Sequence, residues 1–484
     1  MLGDIFRRNV TLKGDFDGLE EGSRNFLLVC HHWFEVALRT PEVWSFWGNI
    51  PTDWARLHRR SRTAPLDLVL GDVDYDGGTL DITLSDVLRD RAARDTIRRV
   101  HLWSGDEALL SSIVSSLATA GEGVRSNSVE SFILINDGYT PVDTSDFFAH
   151  YCFPKLQHLK LHDCRIASWD LLTSRTTVLT SLSLYFNRPS PTPTASQLLS
   201  ILASNPLLRK VSLSGYTFPA DGGESPYRVS LHHLKELKLA GISRHVIGLL
   251  HQLDHARNMD LDIFLSDRTV TGVPRMVGPC LQDYFRRRDR SPNGLGLSVS
   301  RSGAHITLHI GDVSGFDLST LTRSPIVPFV AIAMDLDQAF WNLPGKGFLD
   351  LVPYIPQDEV VYLRSWGEPA AMEDMSTRFP KLRALRPVLI PLPTVFPGSS
   401  LDGNGGIPTS LQHIHLELPI VDDGDWSPLT AFLACRVSSG NQLDSLTLDY
   451  SPQMCLGVEE HIRSMVREFG VTWAGCPFSI CLEE

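Results

Sequence analysis

LQHLKL (156–161), LTSLSL (179–184), LRKVSL (208–213) and LKELKL (234–239) repeat one six-residue pattern. The pattern runs apolar, two free positions, apolar, one free position, apolar. Its later positions alternate as they do on a strand with one buried face. The same pattern stands upstream as IRRVHL (97–102) and VESFIL (129–134), and downstream as LQHIHL (411–416) and LDSLTL (443–448). Looser copies are FVAIAM (329–334), DEVVYL (358–363) and HITLHI (305–310). Consecutive clear copies from 97 to 234 are spaced 32, 27, 23, 29 and 26 residues. A lone strand of this kind cannot bury its apolar face, whereas strands stacked side by side, each backed by a helix or loop, share one core. The expected fold is therefore α/β, with a solenoid over residues 64–457 whose curved parallel sheet carries helices and loops on the convex side. An ordinary α/β protein with hydrophobic strands is the competing reading, and eight copies of one template weigh against it.

The segments between copies fit this scheme. DEALLSSIVSSLATAGEG (106–123) and TASQLLSILASNP (194–206) read as amphipathic helices, the second ended by Asn-Pro. Residues 262–300, with the basic run FRRRDRSPNGLG (285–296), break the rhythm and read as an exposed loop or an irregular repeat. RPVLIPLPTVFPGSSLDGNGGIP (386–408) reads as a long loop, and VEEHIRSMVREFGVTW (458–473), within a cap over 458–484, as a helix and strand. At the other end, a helical head over 1–50 and a connecting helix over 51–63 precede the array.

Composition narrows the function classes. The 484 residues are 43% hydrophobic and 21% charged, enough apolar matter for a sizeable core. A net charge of -12 argues against nucleic acid or an anionic membrane surface as the main partner. MLGDIFRRNV (1–10) has no apolar core like that of a signal peptide, and IVPFVAIAM (326–334) is too short to span a bilayer. Eight cysteines without a CxxC pair read as reduced core thiols, which points to the cytoplasm or nucleus.

No catalytic signature stands out, and no cofactor is expected. Cys30, His31 and His32 are too close along a helix to converge on one ion. His251 and His255 have helical metal-pair spacing but no third ligand, and GNGG (403–406) lacks the context of a phosphate cradle. LLVCHHWFEVALRTPEVW (27–44) therefore reads as a packing helix in which Cys30 and Trp33 turn inward and His31 and His32 turn towards solvent. Trp44 and Trp47 close the same small core. Leu27, Leu28 and Phe34 form an apolar patch that either meets a partner or packs on the first repeat.

Two stretches carry a family resemblance. The repeats resemble the leucine-rich repeat. Val29-Cys30-His31-His32-Trp33, followed by LRTPEVW (38–44) and the Trp-led segment WARLHRRSRTAPLDLVL (54–70), resembles the second half of an F-box as found in fungal F-box proteins with leucine-rich repeats. In MLGDIF (1–6), Leu2, Ile5 and Phe6 match apolar positions of the opening helix, while the family's initial Leu-Pro pair has no counterpart. The resemblance implies a non-catalytic substrate receptor of a ubiquitin ligase. Leu2, Ile5, Phe6, Leu27, Leu28, Val29, Cys30, Trp33 and Phe34 would bind a Skp-type adaptor of a cullin complex, and the repeats would hold a protein substrate. A repeat scaffold without a ubiquitin link is the alternative.

Alternation also names the residues on the open sheet face. They include Arg99, His101 and Trp103; His158, Lys160 and His162; Tyr185; and Lys210 and Lys238. Later copies project Tyr362, Arg364, His413, His415 and Glu417 the same way. From Arg99 to Lys238 the projected positions hold four Lys/Arg against one acidic residue. This face is expected either to capture an acidic or phosphorylated protein or simply to keep an exposed sheet soluble.

Overall fold

Leu156, Leu179, Leu208 and Leu234, the first positions of four template copies, are all buried. The strands that follow them stack in the order of the sequence. The structure is a computed structural model that describes residues 31, 35–36, 39–41, 46–47, 61, 64–71, 96–119, 128–150, 153–176, 178–187, 192–217, 228–255, 258–266, 273–288, 294–299, 305–312, 327–335, 351–366, 379–388, 408–417, 426–449 and 456–472. The chain divides into two compact units, residues 1–239 with 251–256, and residues 240–250 with 257–484.

In the first unit, β1 (Phe46–Trp47), β2 (Leu66–Leu70), β3 (Ile97–Ser104), β4 (Ser131–Asn136), β6 (His158–His162), β8 (Ser181–Tyr185) and β9 (Lys210–Ser214) form one sheet, each strand parallel to the next. β11 (Glu236–Gly241) pairs with β9. Short parallel pairs join β5 (Val142–Asp143) to β7 (Cys164–Arg165), and β10 (Val229–Leu231) to β12 (Leu253–His255). The template positions meet in register. One row runs Leu68, Val100, Phe132, Leu159, Leu182, Val211, and the next runs Leu70, Leu102, Leu134, Leu161, Leu184, Leu213. None of these twelve side chains is more than 6% exposed.

Helices close the core behind the rows. α1 (Glu107–Thr119) begins on the carboxylate of Asp106, which accepts from the amides of Ala108 and Leu109 at 2.9 and 3.1 Å. α2 (Ser145–His150) places Phe147 and Phe148 on Phe132, with Phe147–Phe132 ring centroids 4.6 Å apart. α3 (Asp170–Arg175) follows, and α4 (Ala195–Ser204) starts in a capping box between Thr194 and Gln197 and ends at Asn205. The helices expected from the sequence at 106–123 and 194–206 are therefore present.

α5 (Ser243–Gln252) straddles the division between units. It stops before His255, which lies in β12, so His251 and His255 do not share a helix and the spacing expected of a metal pair has no helical basis.

The second unit departs from the expected parallel array. β13 (Asp260–Leu265), α6 (Val273–Arg287) and β14 (Gly294–Val299) occupy most of the stretch read as an exposed loop or irregular repeat. β14 pairs antiparallel with β15 (His305–Asp312), β15 antiparallel with β16 (Val327–Asp335), and β16 parallel with β13. The reason lies in spacing. Only five residues separate Val299 from His305. A hairpin needs only a few residues, whereas a parallel crossover needs about a dozen or more. The looser copies at 305–310 and 329–334 thus run in opposite directions.

Parallel order holds from β14 to β17 (Tyr362–Trp366), β18 (Ala384–Val388), β19 (His413–Glu417), β20 (Ser445–Asp449) and β21 (Glu468–Thr472). α7 (Ser427–Ser438) and α8 (Leu456–Met465) precede β20 and β21. Leu363, Leu385, Ile414, Leu446 and Phe469 stand in one row. The true copy near 358 is therefore VVYLRS (360–365), two residues later than read, and an even shift leaves the facing unchanged. β18 lies partly within the stretch read as a loop. Pro387 stands where its template LRALRP (382–387) asks for Leu, which disguised the strand.

β1 also joins the sheet from within the stretch read as a helical head. Residues 51–60, 389–407 and 473–484 lie outside the described residues. Removing one rung of the ladder tests its weight. Leu182→Ala should cost about 2–5 kcal/mol of unfolding free energy, against less than about 0.5 kcal/mol for the outward neighbour Ser183→Ala, both read by urea denaturation.

Candidate functional site

The outward positions of the first unit lie in three rows that cross the strands. The first runs Arg99, Ser131, His158, Ser181, Lys210. The second runs His101, Ile133, Lys160, Ser183, Ser212, and the third Trp103, Ile135, His162, Tyr185, Ser214. Eight of the nine projected candidates, all but Lys238, therefore fall on one face within these rows. Lys238 follows on β11, beside Glu236.

A buried polar spine holds the rim of this face at the strands' C-terminal ends. Asn136, fully buried, donates from Nδ2 to the carbonyls of Thr140 at 2.7 Å and Asp163 at 3.2 Å, and its Oδ1 accepts from the Gly138 amide at 2.9 Å. Asp163 takes a left-handed φ of 50°, and its carboxylate accepts from the Asn187 amide at 2.7 Å. The loops after β3 and β4 touch closely, because a Cβ at Gly138 would stand 2.6 Å from the Gly105 carbonyl. The Cys164 thiol lies beneath, fully buried, and burial drives its pKa far above the ordinary thiol value.

Above the spine sits an aromatic group. Trp103 is 46% exposed, and its indole N–H donates to the Asp137 carboxylate. His162 lies 3.8 Å from Asp137 and 3.8 Å from Asp163, and meets Asn187 Nδ2 at 2.7 Å. Its ring packs edge-on against Tyr185 with centroids 5.7 Å apart. Lys160 Nζ stands 5.7 Å over the same Tyr185 ring, whose hydroxyl meets Ser212 Oγ at 2.7 Å.

The basic row is more compensated than projection suggests. Arg98 grips Asp67 with two hydrogen bonds of 3.0 and 2.7 Å, and Arg99 lies 3.9 Å from the same carboxylate. Glu236 takes Lys210 at 3.0 Å and Lys238 at 3.1 Å. Burial works to raise the Glu236 carboxyl, but the two lysines outweigh it and hold it below the usual range. Asp67 and Asp137 are not among the residues that the repeat template projects. The alternation in LDLVL (66–70) was the available signal for Asp67, while Asp137 comes into reach of Trp103 only through the stacked loops.

Two of the later projections fail in the second unit. Tyr362 and His415, expected on an open face, are 0% and 1% exposed, and Arg386 between them in the sheet is also buried. Those strands are covered on both sides, as parallel strands commonly are. Arg364 and His413 are half-buried, and His413 Nδ1 meets Ser445 Oγ at 2.9 Å.

Leu2, Ile5, Phe6, Leu27, Leu28, Val29, Cys30, Trp33 and Phe34 lie outside the described residues. Among their neighbours, His31 is exposed, as expected, and stands 3.8 Å from Glu35 at helical spacing. Among the described residues no group of three His, Cys, Asp or Glu is arranged to hold a metal ion, and no helix is long and apolar enough to cross a membrane. No known protein family and no curated protein matches the chain.

Two imidazoles on the face are neutral at physiological pH. Burial, and then the nearby charge of Arg99, brings His101 down to about 4, and His101 Nε2 meets Ser131 Oγ at 2.8 Å. Burial and then Arg99 also lower His158. Because the fold favours neutral His101, its stabilisation is complete above the unfolded value of 6.5 and is lost as pH falls towards 4. Between pH 7 and pH 5 the wild type should lose about 2 kcal/mol more unfolding free energy than His101→Gln. Urea titrations at the two pH values check this, and equal losses would contradict a neutral His101 in the folded chain.

Proposed function

We propose that this chain is a non-catalytic receptor that holds a protein partner on the open face of its first parallel sheet. The carrying observation is the in-register array that displays Trp103, Tyr185 and the surrounding basic and hydroxyl side chains on one surface. An exposed Trp103 beside a half-buried Tyr185 among polar neighbours suits protein recognition better than chemistry. The template supports a leucine-rich-repeat solenoid. In LQHLKLHDC (156–164) the ninth position is a buried Cys, where such repeats carry Asn or Cys.

The N-terminal resemblance extends the proposal. The head would bind a Skp-type adaptor, so that the chain serves as the substrate-recognition subunit of a cullin-based ubiquitin ligase in the cytoplasm or nucleus. The substrate is a protein, and neither nucleic acid nor membrane is the partner. A repeat scaffold without a ligase link is the second reading. The acidic, glycine-containing stretch GDFDGLEEGS (14–23), longer than a compact F-box loop, favours it.

Co-purification with a Skp-type adaptor separates the two. The receptor reading expects a stoichiometric complex that Leu28→Asp abolishes. Trp33→Ala should abolish it too, but a core Trp→Ala change costs about 3–5 kcal/mol and is read beside a folding control. Absence of any complex points to the scaffold.

A further inference from the structure

We propose that the Trp103 end of this face seats an arginine of the partner protein, its guanidinium lying on the exposed indole and against the carboxylates of the adjoining loops. The inference rests on the receptor reading and names the chemistry of its partner.

The two outward aromatic rings differ in what already stands on them. Tyr185 has Lys160 Nζ 5.7 Å over its ring and His162 packed edge-on against it. Trp103 is 46% exposed, and among the described residues neither a cation nor a second ring lies on it. Its indole N–H is taken by the Asp137 carboxylate, so a ligand meets the ring itself and no hydrogen-bond donor. Trp offers the most favourable aromatic face for a cation.

Charge around the indole selects the occupant. The loop after β3 brings Asp106 and Glu107, and the loop after β4 brings Asp137. Neither Asp106 nor Glu107 makes an ion pair among the described residues, and Asp137 stands 3.8 Å from His162. Residues 100–119 and 128–154 contain no Lys or Arg. The opposite side of the face is compensated from within, Arg99 by Asp67 and Lys210 by Glu236. The charge this face offers a partner is therefore negative and lies at the Trp103 end. That is the reverse of the sign suggested by the projected positions alone.

The platform is built before a ligand arrives. The Asp137 amide donates to the Ser104 carbonyl at 3.0 Å, and the Thr140 amide donates to Glu107 Oε2 at 3.0 Å. With the close approach of Gly138 to Gly105, these bonds tie the two loops together. Tyr139, two residues beyond Asp137 and 94% exposed, offers a second ring to the chain that carries the cation. Arginine suits the site better than lysine. Its guanidinium is planar and weakly hydrated, and it stacks on a ring while its N–H groups reach a carboxylate.

The test selects a displayed library of random short peptides on the whole chain. Binders should be enriched in arginine, weaken when lysine replaces it, and weaken as salt rises. Affinity should fall at least about tenfold on Trp103→Ala, and likewise on Asp106→Asn combined with Asp137→Asn. The two Asn changes keep the helix cap and the acceptor for the indole N–H while removing both charges. Trp103→Phe should retain more affinity than Trp103→Leu, which keeps apolar bulk without a ring. Unchanged unfolding midpoints serve as the folding control. Selection repeated on the double Asn variant should no longer favour arginine. Binders without arginine, binders indifferent to the double Asn variant or to salt, equal affinities for the Phe and Leu variants, or no binders at all would overturn the inference. Arginine-free binders that are lost on Trp103→Ala would overturn it and leave the receptor reading standing. Binders indifferent to Trp103→Ala and Tyr185→Ala alike would remove the receptor reading itself.

Discussion

A single strand with one apolar face has no stable place in water. Its Leu side chains gain their burial only when a neighbour supplies the next rung. In the first unit this constraint is met by rows such as Phe132, Leu159, Leu182 and Val211, each side chain lying against its counterpart one strand away. With a side-chain period of two, a slip of one residue would turn a whole strand inside out. The inward ladder therefore also fixes the outward rows. Arg99, His158 and Lys210 line up because Val100, Leu159 and Val211 do.

Burial of polar groups at the strand ends gives the face its definition. Asn136 and Asp163 satisfy turn amides and carbonyls that packing would otherwise leave without water. That spine sets where Asp137 stands, and hence how Trp103 is held. The charge on the face is a balance. Asp67 and Glu236 meet the outer cations, and burial beside Arg99 keeps His101 and His158 neutral. What is displayed is a surface with paired cations on one side, Trp103 and Tyr185 in the middle and Asp137 at the rim.

The two units show how far one template carries. In the first, every clear copy becomes a strand in chain order. In the second, the short connection after Val299 forces a hairpin, and Pro387 hides a strand by replacing the expected leucine. The same outward slots that are open around Trp103 are buried at Tyr362 and His415. Local pattern cannot distinguish these cases, because it sets which way a side chain points and not what stands above it.

By itself the sequence determined the periodicity, and with it the α/β class, the identity of the inward rungs and the parity of every outward side chain. These are local consequences of alternation and helix capping, as in Leu159, Leu161 and the Thr194 box. Only the tertiary structure decided strand direction in the second unit, which outward positions stay open, and which carboxylates answer the cations. Asp67 reaches Arg98 across 31 residues and Asp137 reaches Trp103 across 34. Such partners are brought together by how strands stack and loops touch, which a six-residue pattern does not encode.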